Sequence, residues 1–283
     1  MIVKKVFFFL VVICLSYVSY QHDLVIDENS ASNDGFQNRI IGGVIPKMHK
    51  FPFVAYILIT INDNWCTGSI IAPQYVLTAR HCFSYAVNAT HDMNMSIVRD
   101  YIIVEVGSQH KGRGQRFRVR SIHTPSINRK WFDITILKLD REIEIDNITT
   151  SAITLRKWNP RFREQLLTVG HGKHVVGTHI RKESSYVAGS LTVTAPNGGF
   201  CKANEYEFCA YGKGEGTYLG DSGGPVIKVI DNKYYQVGLI VSGYIYEDIN
   251  KTTLSDFGKY LIIERFCPGI EAKTQRTAIC AER

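Results

Sequence analysis

The chain has 283 residues, 45% of them hydrophobic, with a formal net charge of +7. That length is ample for two packed cores, and neither an internal repeat nor a low-complexity tract interrupts it. A modest positive excess spread this widely does not mark a nucleic-acid-binding protein. The densest basic run, Lys111, Arg113, Arg116, Arg118 and Arg120, reads as a solvated strand face and loop.

In chain order, Lys4 and Lys5 precede an apolar stretch from Val6 to Leu15, with small Ser16 or Ser19 beyond it. This is the pattern of a secretory signal over residues 1–19, cut after Ser16 or Ser19. The stretch is short for a bilayer span, and Gln21-His22-Asp23 follows at once. No later segment has an uninterrupted apolar run of membrane length, so no membrane partner is expected and the mature protein is expected outside the cell. Residues 20–39 are polar and carry Asp23, Asp27, Glu28 and Asp34, which predicts a flexible propeptide. It ends at Arg39, a basic residue before Ile40-Ile41-Gly42-Gly43 and a candidate cut site.

Removal of the signal takes Cys14 and leaves Cys66, Cys82, Cys201, Cys209, Cys267 and Cys280. An even number in an exported chain suggests disulfides, and six cysteines allow fifteen pairings, so counting alone selects none. Asn88, Asn94, Asn147 and Asn250 each begin a glycosylation sequon.

From Phe51 onward the pattern is strand-like. Phe53–Ile61, Tyr101–Val106, Arg116–Arg120 and Tyr234–Val241 are rich in β-branched and aromatic residues. Only Asp256–Phe266, with Phe257, Tyr260, Leu261 and Ile263 or Glu264 spaced for one apolar face, predicts a helix. Many short strands with one late helix predict an all-β barrel architecture.

Three motifs carry chemistry. Gly220-Asp221-Ser222-Gly223-Gly224-Pro225 sets a serine among glycines, where the backbone can bend sharply and approach a substrate. A serine hydroxyl is a weak nucleophile until a base takes its proton. Candidates for the base and its orienting acid lie upstream, as His81 in Leu77–Cys82 and Asp133 in Phe132–Leu139. Each residue alone is an ordinary structural one; the three in this order point to a nucleophilic triad.

On these motifs the chain resembles the trypsin/chymotrypsin family of serine endopeptidases from about Ile40 to Phe266. The resemblance implies two six-stranded antiparallel β-barrels with the active site between them and a C-terminal helix. It implies Ser222 as nucleophile, His81 as general base, Asp133 as its orienting acid, and the N–H groups of Gly220 and Ser222 as oxyanion hole. It implies a zymogen: cleavage after Arg39 by a trypsin-like activating protease frees the Ile40 amine to pair with Asp221. It also implies the pairs Cys66–Cys82 and Cys201–Cys209. Cys267 and Cys280 then remain for each other in a short tail, so the protease domain runs over 40–283.

The chain departs from the family in its substrate pocket. Gly216, six residues before Ser222, stands where a trypsin-like enzyme has an aspartate, and Tyr218 stands where the family has a cysteine. Ser242-Gly243-Tyr244 replaces Ser-Trp-Gly on the far wall. Ser242 is thereby expected to support Asp133, and Tyr244 to narrow or close the pocket. An uncharged base predicts a preference for small or apolar substrate side chains. No cofactor or metal is expected; the partners expected are a protein or peptide substrate, the activating protease and protein inhibitors, around a monomer. The alternative is a non-catalytic homologue that keeps the barrels as a binding or regulatory module.

Overall fold

A computed structural model describes residues 43–84, 98–176, 179–181, 185–196, 201–212, 216–247 and 254–282. Six strands of the first half close into an antiparallel barrel: β1 (Val54–Ile59), β2 (Asn64–Ala72), β3 (Tyr75–Thr78), β4 (Ile102–Val106), β5 (Gln115–His123) and β8 (Thr135–Leu139), in the order β1-β2-β3-β8-β5-β4. A two-residue hairpin, β6 (Ser126–Ile127) and β7 (Lys130–Trp131), sits between β5 and β8. In β5, Arg116, Arg118 and Arg120 face solvent while Phe117 and Val119 face the core. The period of two thus puts Arg116, Arg118 and Arg120 on one strand face, with Lys111 and Arg113 in the turn before it. Ile57, Ile70, Val76, Val104, Phe117 and Leu137 fill the barrel. Burying side chains of this size stabilises the fold by about 1.5–3 kcal/mol each.

The second half contains β9 (Thr154–Arg156), β10 (Gln165–Gly170), a small hairpin of β11 (His174–Val176) and β12 (His179–Arg181), β13 (Val187–Val193), β14 (Glu207–Gly212), β15 (Pro225–Ile230), β16 (Lys233–Glu247) and β17 (Leu254–Ile262). Strands β15, β10, β13, β14, β17 and β16 pair in that order, and β16 returns to β15, closing a second six-stranded antiparallel barrel. At 15 residues, β16 is long enough to serve β15 with one end and β17 with the other. A separate apolar cluster containing Phe51, Leu77, Ile136, Ile227, Leu239 and Phe266 joins the two halves.

The helix predicted over Asp256–Phe266 is displaced. Residues Leu254–Ile262 form β17, hydrogen-bonded to β14 on one side and β16 on the other. Asp256, Gly258 and Tyr260 are buried and Phe257 and Lys259 partly exposed, so the local period is two. Phe257, Tyr260 and Leu261 fit a helical face by spacing, but barrel closure demands a strand there, and tertiary pairing overrides local pattern. The helical residues follow, as a 3₁₀ turn (Ile263–Phe266) and an α-helix (Cys267–Lys273) with proline in its first turn. The chain then returns as β18 (Cys280–Ala281), which pairs in parallel with β9.

All three expected disulfides are present: Cys66–Cys82, Cys201–Cys209 and Cys267–Cys280. Asn147 occupies an exposed turn with φ +59°. The other three sequons, at Asn88, Asn94 and Asn250, lie outside the described residues.

Candidate active site

His81 and Asp133 come together because adjacent strands of the first barrel deliver them. Thr78, at the end of β3, pairs with Thr135, at the start of β8. Three residues beyond Thr78 the chain turns into a short helix at His81, and two residues before Thr135 stands Asp133. The His81 backbone N–H donates to Asp133 Oδ1 at 2.7 Å, and His81 Nδ1 lies 2.7 Å from Asp133 Oδ2. An ionised carboxylate only accepts, so Nδ1 carries the proton and Nε2 is the basic nitrogen. The Cys66–Cys82 bridge ties β2 to the residue after His81.

The second barrel contributes the serine. Ser222 sits in a tight turn before β15, in which Asp221 N–H donates to Tyr218 O at 2.9 Å and Gly224 N–H to Asp221 O at 2.8 Å. Across the barrels, Thr67 N–H donates to Ser222 O at 3.0 Å and Thr67 Oγ1 to Gly220 O at 2.8 Å. Gly220 has φ +102°, and a Cβ there would collide with Trp65 Nε1. Both the backbone and the neighbour therefore require glycine. His81, Gly220 and Ser222 share the lining of one cavity of about 330 Å³ with Trp65, Leu219 and the Cys66–Cys82 bridge.

Asp221, beside the serine, is 1% exposed and points inward. Its Oδ1 accepts from Gly172 N–H at 2.7 Å and its Oδ2 from Tyr218 N–H at 2.9 Å. Burial pushes its carboxyl up to about 7, against the two backbone hydrogen bonds, which pull it down. A Cβ on Gly170 or Gly172 would overlap this carboxylate, so both glycines make its chamber. The ring of His171, between them, is fully buried, and burial holds its pKa well below the usual range. Arg39 and Ile40 lie outside the described residues. The chain enters them at Gly43, and Val44 bridges to Ala188 in β13 through hydrogen bonds of 2.9 and 3.0 Å.

The pocket residues depart from expectation at two points. Among the described residues no hydrogen bond joins Ser242 to Asp133. A register shift between Ile240 and Ser242 sets Ile240 opposite Tyr260 but Ser242 opposite Lys259. One extra residue reverses the faces that follow it. The side chain of Tyr244 lies outside the described ones; its backbone pairs with Phe257 in β17.

The second departure is an acid that the sequence pattern concealed. Gly216 carries no charge, but a Cβ on it would overlap the Cβ of Asp256. Asp256 is 0% exposed, and its Oδ2 accepts from Thr217 N–H at 2.9 Å, Thr217 Oγ1 at 2.8 Å and Tyr260 Oη at 2.9 Å. Burial pushes its carboxyl up to about 6, opposed by the Thr217 and Tyr260 hydrogen bonds. An acid from β17 therefore packs directly against Gly216. Asp256, Gly258 and Tyr260 alternate, and a strand assignment for this segment would have put that acid on the inner face.

The trypsin family profile matches residues 40–257. Hypodermin-A of Hypoderma lineatum is 27% identical over 227 residues, covering 76% of this chain and 82% of that protein. Serine protease 28 of Mus musculus is 27% identical over 230 residues, covering 72% and 80%. A venom serine protease of Polistes dominula is 25% identical over 233 residues, covering 71% and 74%. With the profile spanning most of its length and both barrels closed in the family's manner, the chain belongs to the trypsin family of serine proteases.

Proposed function

We propose that this chain is a secreted serine endopeptidase made as a zymogen and switched on by cleavage after Arg39. The observation that carries the proposal is the 2.7 Å contact of His81 Nδ1 with Asp133 beside a cavity that also contains Ser222. Ser222 Oγ attacks the peptide carbonyl while His81 Nε2 takes its proton. The same proton passes to the leaving amine as the acyl-enzyme forms, and water then repeats the sequence to release the acid. Asp133 holds the imidazole tautomer and stabilises the imidazolium. The N–H groups of Gly220 and Ser222 receive the developing oxyanion, each worth about 3 kcal/mol.

Activation follows from the chamber around Asp221. In uncut chain its carboxyl is buried with two backbone donors and no cationic terminus. The amine freed at Ile40 supplies that charge, and the buried pair holds the turn that carries Gly220 and Ser222. A small or apolar substrate preference follows from Gly216 alone; the Asp256 carboxylate beside it argues for a different one. Export is supported by the signal-like N-terminus and the three disulfides.

The test is labelling by a fluorophosphonate probe of protein cleaved after Arg39. Labelling is expected in the cut form, and to be lost in Ser222→Ala and His81→Ala. Correctly cut protein that takes no label identifies a binding or regulatory homologue instead of an enzyme.

A further inference from the structure

The turn that carries Ser222 belongs to the second barrel but is gripped from the first. Thr67, in β2, is fully buried, and its side chain and backbone both bond to that turn. Its hydroxyl donates to Gly220 O at 2.8 Å and accepts from His171 N–H at 2.8 Å. Its backbone N–H donates to Ser222 O at 3.0 Å. Its carbonyl accepts from Thr78 Oγ1 at 2.8 Å, at the end of the strand that leads to His81. A buried hydroxyl that gives its one proton and accepts another has a fixed rotamer, because rotation would strand both partners.

These bonds act on the expected oxyanion donors through planar peptides. In a trans peptide the N–H points opposite to the C=O. The Gly220 N–H shares its peptide with Leu219 O, which accepts from Lys173 N–H at 2.6 Å. Lys173 follows closely on His171, whose N–H rests on Thr67 Oγ1 and whose O accepts from Trp65 Nε1 at 2.8 Å. The next peptide, joining Gly220 to Asp221, is held directly by Thr67 Oγ1. One hydroxyl therefore restrains the Gly220 N–H from both sides: through residues 171–173 before it, and at its own carbonyl after it. Gly220, at φ +102°, has no side chain to limit its torsions, so neighbours must do so.

We propose that Thr67 is a positioning residue for the oxyanion hole, its hydroxyl setting the direction of the Gly220 N–H from the opposite barrel. The proposal rests on Ser222 acting as a peptidase nucleophile. Thr67 is absent from the lining of the Ser222 cavity, so it acts through Gly220 and not on the substrate. Its contribution belongs to the step in which the oxyanion forms, and its loss falls on kcat and not on KM.

The test uses full chain cleaved after Arg39 and shown to be folded by circular dichroism. Thr67→Val removes the hydroxyl at similar shape, Thr67→Ala removes hydroxyl and methyl together, and Thr67→Ser keeps the hydroxyl. The first readout is kcat and KM on the peptide that wild-type protein cleaves best. The second is the rate of fluorophosphonate labelling, in which Ser222 displaces fluoride and the phosphoryl oxygen enters the hole. Thr67→Val and Thr67→Ala are expected to lower kcat and the labelling rate by about 10- to 100-fold with KM little changed. Thr67→Ser is expected to recover most of that loss. Equal losses in the serine and valine variants, or a loss confined to KM, overturn the proposal, since general loosening of the barrel contact has that signature. Wild-type protein that labels while the hydroxyl-free variants label equally fast overturns the role of Thr67 alone. Wild-type protein that takes no label overturns the peptidase reading and this role with it.

Discussion

Two pairs of ionisable groups organise this site, and they are built in opposite ways. His81 and Asp133 are about a quarter to a third exposed and satisfy one another directly. Asp221 and Asp256 are both buried acids and are held by separate backbone donors. The first pair is complete as it stands and needs no further ligand to fix its geometry. Both oxygens of Asp221 take backbone donors, while in Asp256 only Oδ2 does among the described residues. The first pair offsets its charge within itself, whereas the two buried acids depend on backbone donors to oppose the cost of burial.

The contrast predicts where losses fall. In cut protein, His81→Ala is expected to lower kcat/KM by about 10⁶-fold and Asp133→Asn by about 10⁴-fold. Circular dichroism is expected to be unchanged, because both side chains are partly solvated. A mild effect of Asp133→Asn on steady-state kinetics would show that the 2.7 Å contact does not orient the base.

The next effect belongs to the buried side. Asp221→Asn in cut chain is expected to cost about 3–5 kcal/mol in stability, as expected when one partner of a buried ion pair is removed. Arg39→Gln is expected to leave the chain folded and unlabelled. A fully active Arg39→Gln protein would break the link between Asp221 and a new terminus.

A pH comparison separates the two forms. In uncut chain the Asp221 carboxyl is pushed up to about 7 by burial, with Gly172 and Tyr218 N–H groups and Lys111 pulling down and Asp256 pushing up. A raised folded pKa means the unfolded chain releases its proton first. Stability is therefore fully present below the ordinary carboxyl range and falls as pH rises toward about 7. The loss amounts to at most about 4 kcal/mol. In cut chain the Ile40 amine favours the charged carboxylate and removes most of this loss, while Asp256 contributes alike to both forms. Denaturant unfolding of both forms at pH 5 and pH 8 measures the difference, and identical pH slopes would rule out the pairing.

How much of this was legible follows from range. Each motif around His81, Asp133 and Ser222 is local, and its glycines and flanking strands announce its geometry in a few residues. An all-β barrel architecture was legible from runs such as Phe53–Ile61, and the two closed barrels from the family resemblance. The pocket was not, because its floor depends on which face of β17 meets Gly216. The apolar spacing of Phe257, Tyr260 and Leu261 suits a helix, and only pairing with β14 and β16 makes it a strand. The register at Ser242 was hidden for a related reason: a one-residue irregularity in β16 is invisible without its partner strand.

The smallest expected effect tests whether the tail belongs to either pair. Cys267–Cys280 closes a loop of 13 residues and returns the chain to β9, where Cys280 stands opposite Leu155. Around it, Thr274 Oγ1 donates to Ile270 O at 2.9 Å and Cys280 N–H to Glu271 Oε1 at 3.1 Å. The bridge thus braces the short helix against the outer edge of the second barrel, and none of the residues lining the Ser222 cavity takes part. Replacing both cysteines with serine is expected to cost about 2–4 kcal/mol in denaturant unfolding. Fluorophosphonate labelling and the ranking of peptide substrates are expected to be unchanged at temperatures where the variant stays folded. An altered substrate ranking in folded variant would mean that strain reaches the pocket through β16, which pairs with β9 at Tyr235 and Gln236 and with β17 at Ile245 opposite Asp256.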